Sequence, residues 1–299
     1  MDVLVLGGGG ILGEAWMSAL LAGLADSRGV DARESEAFVG TSAGSIVAAA
    51  LAAGVEPHAR LGELPEQPAV PDAAGDEPDG GSDLLRLAAL AGRTAAAPFA
   101  ALGLRAGEPG GALLRRLALS RVPDGRRSLG GLGSNVEKAG VRWDGRLRIS
   151  AVDAGNGKRV MFGSPGAPKP SVGQAVEASC AIPGVFRPIV VDGRSYVDGG
   201  AWSPTNMDAA PVSQGARLLC LNPTGSLRLP LTTPFGALAM VSRSLAAVEQ
   251  LALERRGVKV QLVVPDEATV SAIGPSLMDP SRREAVIATG LAQGRALKV

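Results

Sequence analysis

The sequence predicts an α/β fold, a three-layer sandwich with a mostly parallel central sheet and an inserted helical cap. Two short apolar runs near the N-terminus are each followed by a helix-forming run, and this order is typical of parallel strands joined by helices. The composition is 46% hydrophobic, with only 5 Phe, 3 Trp and 1 Tyr, so the core must consist of closely packed Ala, Leu and Val. Helices that cover a mostly parallel sheet have such a core. At 299 residues the whole chain, 1–299, is expected to be one domain.

The first apolar run, from Asp2 to Leu6, predicts a buried strand, and a run of glycines follows it at once. A helix is then predicted down to about Ser27, since apolar residues recur four apart and form one stripe. The members of that stripe are Leu12, Trp16, Leu20 and Leu24. Between strand and helix, Gly8-x-Gly10-x-x-Gly13 satisfies the dinucleotide fingerprint, which makes a dinucleotide-binding or catalytically silent scaffold the alternative function.

The dinucleotide reading also requires an acidic residue at the end of the second strand, placed for a ribose hydroxyl. Here the second apolar run is Ala37-Phe38-Val39, and Asp31, Glu34 and Glu36 all precede it. These acidic residues therefore lie before the strand, whereas a ribose hydroxyl would require one at its end. The first loop offers backbone N–H groups at a helix N-terminus instead, which is how an oxyanion hole is built.

The second run ends in the pentad Gly40-Thr41-Ser42-Ala43-Gly44, and a helix is predicted to follow as far as about Gly54. A strand and a helix joined by Gly-x-Ser-x-Gly form a nucleophile elbow, in which a sharp turn lifts the serine hydroxyl above the end of the sheet. Gly40 and Gly44 remove side chains that would collide in that turn. Alternatively, this is a glycine-rich turn whose serine only caps the helix.

An inserted cap is predicted over about 55–144. It contains a surface loop rich in Pro, Gly and acidic residues, Pro65 to Asp83, and then an apolar segment, Leu84 to Leu104. That segment is either a buried pair of helices or a lid that presents apolar surface to lipid.

After the cap, the sequence predicts a hairpin of Leu147–Val152 with Arg159–Phe162 across an Asn156-Gly157 turn, and a helix over Val172–Cys180. Two Asp-Gly pairs follow, and they are not equivalent. Asp192-Gly193 lies between apolar runs and predicts a hairpin turn, whereas Asp198 ends a run and precedes Gly199 and Gly200. Asp198 is therefore the candidate functional acid, with two glycines that let a neighbouring loop approach closely.

The remaining elements are regular, and the last helix is predicted to open with a capping box at Ser281-x-x-Glu284. Before it, the sequence predicts a strand Arg217–Leu221, a helix from about Phe235 to Arg256, and a strand Val258–Val264.

The balance of 30 basic and 29 acidic residues leaves no overall field that would attract nucleic acid, so any membrane-surface contact is expected to be local and transient. No apolar stretch reaches the length of a membrane span, and the first residues lack the basic start of a signal peptide. Cys180 and Cys220 are too few for a disulfide framework or a zinc set, so no metal site is expected. These features predict a cytoplasmic protein.

The chain has one histidine, His58, only a short distance after Ser42 and beyond the predicted helix. A Ser-His-Asp triad of the usual α/β topology needs a histidine late in the chain. His58 is therefore expected to be a surface residue, which leaves a desolvated carboxylate as the general base.

Four ordered motifs resemble the patatin-like phospholipases and span most of the chain. They are the glycine loop Gly7–Gly13, the pentad at Ser42, the run Ser179-Cys180-Ala181-Ile182-Pro183-Gly184-Val185-Phe186, and Asp198-Gly199-Gly200. The resemblance implies a catalytic dyad of Ser42 and Asp198, an oxyanion hole from the backbone of Gly8, Gly9 and Gly10, and support from Gly13, Gly40, Gly44, Gly199 and Gly200. It also implies hydrolysis of acyl esters of lipids, without a cofactor.

One position departs from that family. An arginine usually precedes the last glycine of the loop, and Leu12 occupies this position here. The proposed oxyanion donors are backbone N–H groups, so they do not depend on this side chain. Leucine lacks the positive charge with which arginine could bind a phosphate head group. The sequence thus does not decide whether the substrate is a phospholipid or a neutral lipid, which acyl chain is preferred, or how many chains form the protein.

Overall fold

The computed structural model describes residues 1–62, 109–226 and 234–298. In these ranges, helices flank one central sheet, which confirms the predicted α/β architecture. The strands are β1 (Val3–Leu6), β2 (Ala37–Gly40), β3 (Leu147–Asp153), β4 (Arg159–Phe162), β5 (Ile189–Val191), β6 (Arg194–Asp198), β7 (Arg217–Leu221) and β8 (Lys259–Val263). The helices are α1 (Gly10–Arg28), α2 (Ala43–Ala52), α3 (Pro109–Leu119), α4 (Gly130–Lys138), α5 (Val172–Cys180), α6 (Pro234–Arg255), α7 (Glu267–Ile273) and α8 (Arg283–Ala296).

The sheet has the strand order β5-β6-β3-β2-β1-β7-β8, and β4 pairs with β3 beside this path. Five neighbouring strands are parallel, in the order β3, β2, β1, β7 and β8. Strands β4 and β6 each pair antiparallel with β3, and β5 pairs antiparallel with β6. At the centre, Leu6 of β1 lies opposite both Gly40 of β2 and Leu221 of β7. The loops after β1 and β2 therefore leave the same edge of the sheet side by side.

Alternate residues of the central strands belong to two separate cores, one on each face of the sheet. Leu4 and Leu6 pack with residues of α1, α2, α5 and α8, whereas Val3 and Val5 pack with Ala246 and Leu253 of α6. Side chains of a strand point to opposite faces in turn, so this division shows helices on both faces. The result is the predicted three-layer arrangement.

Both predicted hairpin turns are present. The antiparallel pair β3–β4 turns through Gly157, whose φ is 70°, and the pair β5–β6 turns through Asp192 and Gly193, with φ of 49° and 74°. In the β5–β6 turn, positive φ at both central residues matches the twist of a two-stranded hairpin. Asp192 is exposed and belongs to this turn.

The predicted capping box at Ser281 is wrong. Ser281 lies in a short 3-10 turn, Pro280–Arg282, where its N–H donates to Oδ1 of Asp279 at 3.1 Å, and α8 begins after Arg282 without a side-chain cap. A true capping box opens α5 instead. There Ser171 Oγ accepts from the N–H of Gln174, and Gln174 Oε1 accepts from the N–H of Ser171, both at 3.2 Å.

The predicted cap over 55–144 remains a prediction, because 63–108, including the apolar segment Leu84–Leu104, lies outside the described residues. Within the described part of the cap, α4 packs on α5, where the N–H of Gly133 donates to Glu177 Oε1 at 3.0 Å. Within the described ranges, no helix has the length and apolar character needed to cross a membrane.

Candidate active site

The glycine loop after β1 and the pentad after β2 lie next to each other at the carboxyl edge of the sheet. A Cβ added to Gly8 would lie 3.4 Å from the Cβ of Ser42. Helices α1 and α2 both begin at this edge, so their N-terminal N–H groups and the positive ends of their dipoles converge on it. The arrangement favours negative charge close to Ser42.

Ser42 has the backbone conformation of a tight strand-to-helix turn, with φ of 50° and ψ of −124°. A non-glycine residue at positive φ costs on the order of 1 to 3 kcal/mol, which the surrounding packing must offset. Added Cβ atoms would lie 2.5 Å from Ser45 Cα at Gly40 and 2.0 Å from the Leu6 carbonyl oxygen at Gly44. The pentad therefore requires glycine at both ends for the steric reason given by the sequence.

The three glycines expected to supply an oxyanion hole differ in their hydrogen bonds. The N–H of Gly8 donates to the carbonyl oxygen of Pro204 at 2.8 Å. The N–H groups of Gly9 and Gly10 have no acceptor within the described part of the chain. Two backbone donors at the start of α1 therefore have no partner within the described ranges, whereas the N–H of Gly8 already has one.

Asp198 reaches the pentad because two strands share one edge of β3. Strand β4 occupies one edge of β3 along the stretch that includes Ile149 and Ala151. The other two partners of this stretch must therefore lie on the opposite edge. These are β2, which ends opposite Ile149, and β6, whose Asp198 lies opposite Ala151. They run in opposite directions and their ends meet. Asp198 therefore adjoins the turn that carries Ser42.

The carboxyl group of Asp198 is buried, with 6% of the residue exposed. Burial raises its pKa to about 6, although hydrogen bonds from the N–H of Gly200 and from the Ser42 hydroxyl act in the opposite direction. The Gly200 N–H lies 2.7 Å from Oδ1. At Gly199 an added Cβ would lie 2.2 Å from Ser150 Oγ, so this position also requires glycine. The arrangement can hold a carboxylate that accepts a proton near neutral pH.

The segment Ser179-Cys180-Ala181 at the end of α5 joins the two candidate catalytic residues. Ser179 Oγ accepts from the N–H of Ser42 at 2.8 Å, and the carbonyl oxygen of Ala181 accepts from the N–H of Asp198 at 2.9 Å. Burial raises the pKa of Cys180, whose Sγ lies 3.9 Å from Ser45 Oγ, so the thiol stays protonated. This motif therefore fixes the backbone on both sides of the site.

Sequence reasoning missed Asn206, which connects the nucleophile turn to the loop after Asp198. Its Nδ2 donates to Thr41 Oγ1 at 3.1 Å, to Ser150 Oγ at 3.3 Å and to the Gly199 carbonyl oxygen at 3.3 Å. Asn206 itself has φ of 51°, a conformation in which asparagine is enriched. No local pattern in the sequence indicates these contacts, since the partners are far apart along the chain.

Sequence reasoning also missed Glu249, a second buried acid. The Met207 N–H donates to its Oε2 at 3.0 Å, and burial together with the charge of Asp208 raises its pKa. Glu249 lies on α6 and holds the backbone next to Asn206. Its contacts indicate a role in shaping this loop.

His58 lies at the other end of α1 from the glycine loop. Its Nε2 is 2.9 Å from Asp26 Oδ1, and 47% of its side chain is exposed. Asp26 is near the C-terminal end of α1, whereas Gly10 begins that helix, so the two ends are separated by about 24 Å at 1.5 Å per residue. The structure therefore does not bring His58 to Ser42.

Replacing His58 by alanine should leave the rate of ester hydrolysis within about twofold of the parent, since the imidazole is remote from the reacting atoms. The measurement is the rate with a soluble p-nitrophenyl ester. A hundredfold loss with the fold retained would contradict the assignment of His58 to the surface.

The described residues contain no group of His, Cys, Asp and Glu arranged to hold a metal ion. Strand β2 ends at Gly40 and continues into Thr41 and Ser42, so no acid stands where a ribose hydroxyl would need one.

Comparison with known proteins gives one family. The model of that family, described as Patatin-like phospholipase, matches residues 4–211, a range that includes Ser42 and Asp198. Among solved structures, VipD from Legionella pneumophila is similar, with 15% identity and a TM-score of 0.44, over 99% of this chain and 66% of that chain. No curated protein matches the chain significantly.

Proposed function

Because the chain belongs to the patatin-like phospholipase family, we propose that it is a serine-dependent lipid acyl hydrolase with a dyad of Ser42 and Asp198. The family supports hydrolysis of lipid acyl esters in general. One observation carries the finer assignment. The buried carboxyl group of Asp198, at the end of β6, adjoins the turn that carries Ser42, and its interaction with the Ser42 hydroxyl lowers the pKa that burial raises.

In the first half-reaction, Ser42 Oγ attacks the carbonyl carbon of the acyl ester while its proton moves to Asp198. The carbonyl oxygen becomes an oxyanion in the tetrahedral intermediate. When this intermediate collapses, the ester C–O bond breaks, and the leaving alcohol takes the proton from Asp198. An acyl group remains on Ser42.

In the second half-reaction, a water molecule attacks the acyl-enzyme and gives a proton to Asp198. Collapse of the second intermediate releases the carboxylic acid, and the proton returns to Ser42 Oγ. One carboxylate therefore serves both steps, first as base and then as acid. No histidine takes part.

The N–H groups of Gly9 and Gly10 are the proposed oxyanion donors, because they have no acceptor within the described residues. For Gly8 to donate as well, its N–H would have to leave the carbonyl oxygen of Pro204. Gly8 has another use, since a glycine there keeps the space beside the Ser42 side chain open. Leu12 is buried in the core and brings no charge to this loop, so this position offers nothing that would bind a phosphate head group.

Labelling with an active-site fluorophosphonate tests the proposal directly. The probe should attach to the peptide that contains Ser42, as identified by mass spectrometry, and labelling should coincide with loss of ester hydrolysis. The dinucleotide-binding alternative predicts no label and retention of NAD. Activity on a panel of chromogenic acyl esters and phospholipids would then define the substrate.

The rate of ester hydrolysis should fall as the pH drops below about 6. Burial raises the pKa of Asp198 to about 6, and only the deprotonated carboxylate can accept the proton of Ser42. Well below that pH, kcat/KM should therefore decrease about tenfold per pH unit. The measurement is kcat/KM from pH 4 to 8 with a soluble ester that does not titrate in this range.

Glu249 is the control for this pH profile, because burial raises its pKa as well. In Glu249→Gln the acidic fall in kcat/KM should remain near the same pH, although the loop at Asn206 is expected to be less stable. If the fall disappears in this variant, Glu249 rather than Asp198 controls the profile. A midpoint near 4 in the parent would also contradict the assignment, since an ordinary carboxyl group titrates there.

A further inference from the structure

Helix α3 presents its most apolar face to solvent. Leu113, Leu114 and Leu117 are 54%, 52% and 42% exposed, and together they form what is here called the leucine face. Positions i, i+1 and i+4 lie within about a third of the helix circumference, so the three side chains form one patch. A soluble protein usually turns such a face toward its core, and an exposed one marks an interaction surface.

The opposite side of α3 fixes this orientation. Arg115 is only 2% exposed, its Nε donates to the Ala201 carbonyl oxygen at 3.0 Å, and its Nη1 donates to the Gly157 carbonyl oxygen at 2.8 Å. Its guanidinium carbon also lies 4.0 Å from the ring centroid of Trp202. Rotating α3 to bury the leucines would break both hydrogen bonds and expose this cation-π contact, so the leucine face stays outward.

The same contacts place α3 at the carboxyl edge of the sheet, the edge that carries the candidate active site. Ala201 ends the short 3-10 turn Gly199–Ala201, which directly follows Asp198. Gly157 belongs to the turn between β3 and β4, and an added Cβ there would lie 2.2 Å from the Ala112 carbonyl oxygen of α3. A surface that covered the leucine face would therefore lie at this edge of the sheet.

The charges around the leucine face are basic. Arg116 lies beside it on α3, Arg121 follows the end of the helix, and Arg126 and Arg127 lie in the segment after that; all four are exposed. None of these four forms an ion pair with a carboxylate within the described ranges. Asp124 is the single acidic residue in 111–130. Leucines bordered by unpaired arginines complement a surface of anionic head groups over acyl chains.

We infer that the leucine face and its flanking arginines dock α3 onto an anionic lipid bilayer, at the edge of the sheet that carries Ser42 and Asp198. The inference rests on the proposed function for its purpose, because docking there would bring the acyl ester close to Ser42. Binding itself does not require catalysis. The leucines would enter the boundary between head groups and acyl chains, while the arginines contact phosphates.

Flotation with vesicles tests this inference on the full chain. Vesicles of phosphatidylcholine mixed with phosphatidylglycerol should bind the parent protein, and vesicles of phosphatidylcholine alone should bind it more weakly. Leu113→Ser with Leu117→Ser should weaken binding to the mixed vesicles by about tenfold, through lost apolar burial. Arg116→Gln with Arg121→Gln should weaken binding mainly to the mixed vesicles, and added salt should reduce the binding of the parent.

The matched control is the same change at exposed apolar residues elsewhere. Val248 and Leu251 of α6 are 49% and 47% exposed, and Val248→Ser with Leu251→Ser should leave vesicle binding within about twofold. Thermal unfolding followed by circular dichroism should show that both double variants remain folded. Equal loss of binding in the two double variants would overturn the inference.

Two further results would overturn it. One is a parent protein that binds neither kind of vesicle, as expected if another segment of this chain covers the leucine face. The other is a parent protein that dimerises in solution, if the Leu113→Ser, Leu117→Ser variant no longer dimerises but still binds vesicles. Hydrolysis of a soluble short-chain ester separates this inference from the proposed function, since the leucine variant should retain it. If the parent binds vesicles but hydrolyses no ester, the proposed enzymatic function is refuted and the inferred docking surface is still supported.

Discussion

Replacement of Ser42 by alanine should reduce ester hydrolysis below about a hundredth of the parent rate, since losing a nucleophile typically costs several powers of ten. The change deletes the atom that would form the acyl-enzyme and adds no volume to a turn held by Gly40 and Gly44. The N–H of Ser42 still donates to Ser179, because that bond uses the backbone. The fold should therefore persist, and the rate with a p-nitrophenyl ester measures the effect.

Ser195→Ala is the control, because it makes the same chemical change at an exposed position on β6. This variant should hydrolyse the ester at the parent rate and should still react with the fluorophosphonate at Ser42. A Ser42→Ala protein that keeps more than about a hundredth of the parent rate would refute the nucleophile. Circular dichroism on both variants shows whether a loss of rate reflects chemistry or unfolding.

Asp198→Asn should lower the rate by roughly 10² to 10⁴, the usual contribution of a general base. Asparagine has nearly the same shape, and its oxygen can still accept from the N–H of Gly200, now 2.7 Å from Oδ1. It cannot accept the proton of Ser42 at neutral pH. Because burial already disfavours the charged form of Asp198, the neutral amide should not reduce the stability of the fold. The measurement is kcat at neutral pH together with thermal unfolding.

Asp192→Asn provides the contrast, since both aspartates precede a glycine. Asp192 is exposed in a hairpin turn with φ of 49°, where asparagine is as acceptable as aspartate. Its rate should be close to that of the parent. The opposite pattern, with turnover lost at 192 and retained at 198, would mean that the wrong aspartate has been assigned as base.

The sequence by itself determined the features that depend on neighbouring residues. The strands and helices around the glycine loop and the pentad follow from local periodicity, and the need for Gly40 and Gly44 follows from steric exclusion within one turn. The same holds for the hairpin turns at Asn156-Gly157 and Asp192-Gly193, whose residues favour positive φ. The sequence also distinguished the roles of Asp192 and Asp198. Asp192-Gly193 lies between two apolar runs, as a hairpin turn does, whereas Asp198 ends a run and is followed by two glycines. Local patterns failed at the last helix, where Asp279 competes with Ser281 as the capping residue.

Only the tertiary structure decided which distant residues meet. The register of β2 and β6 on one edge of β3 brings Asp198 to Ser42, and pairing between strands so far apart in sequence leaves no local pattern. The same is true of Asn206, which contacts Thr41, and of Ser179, which holds the N–H of Ser42. The outward direction of the leucine face depends on Arg115, whose acceptors at Gly157 and Ala201 lie far along the chain from it. The physical reason is that burial and hydrogen bonding with remote partners, rather than the conformational preference of any one segment, determine these contacts.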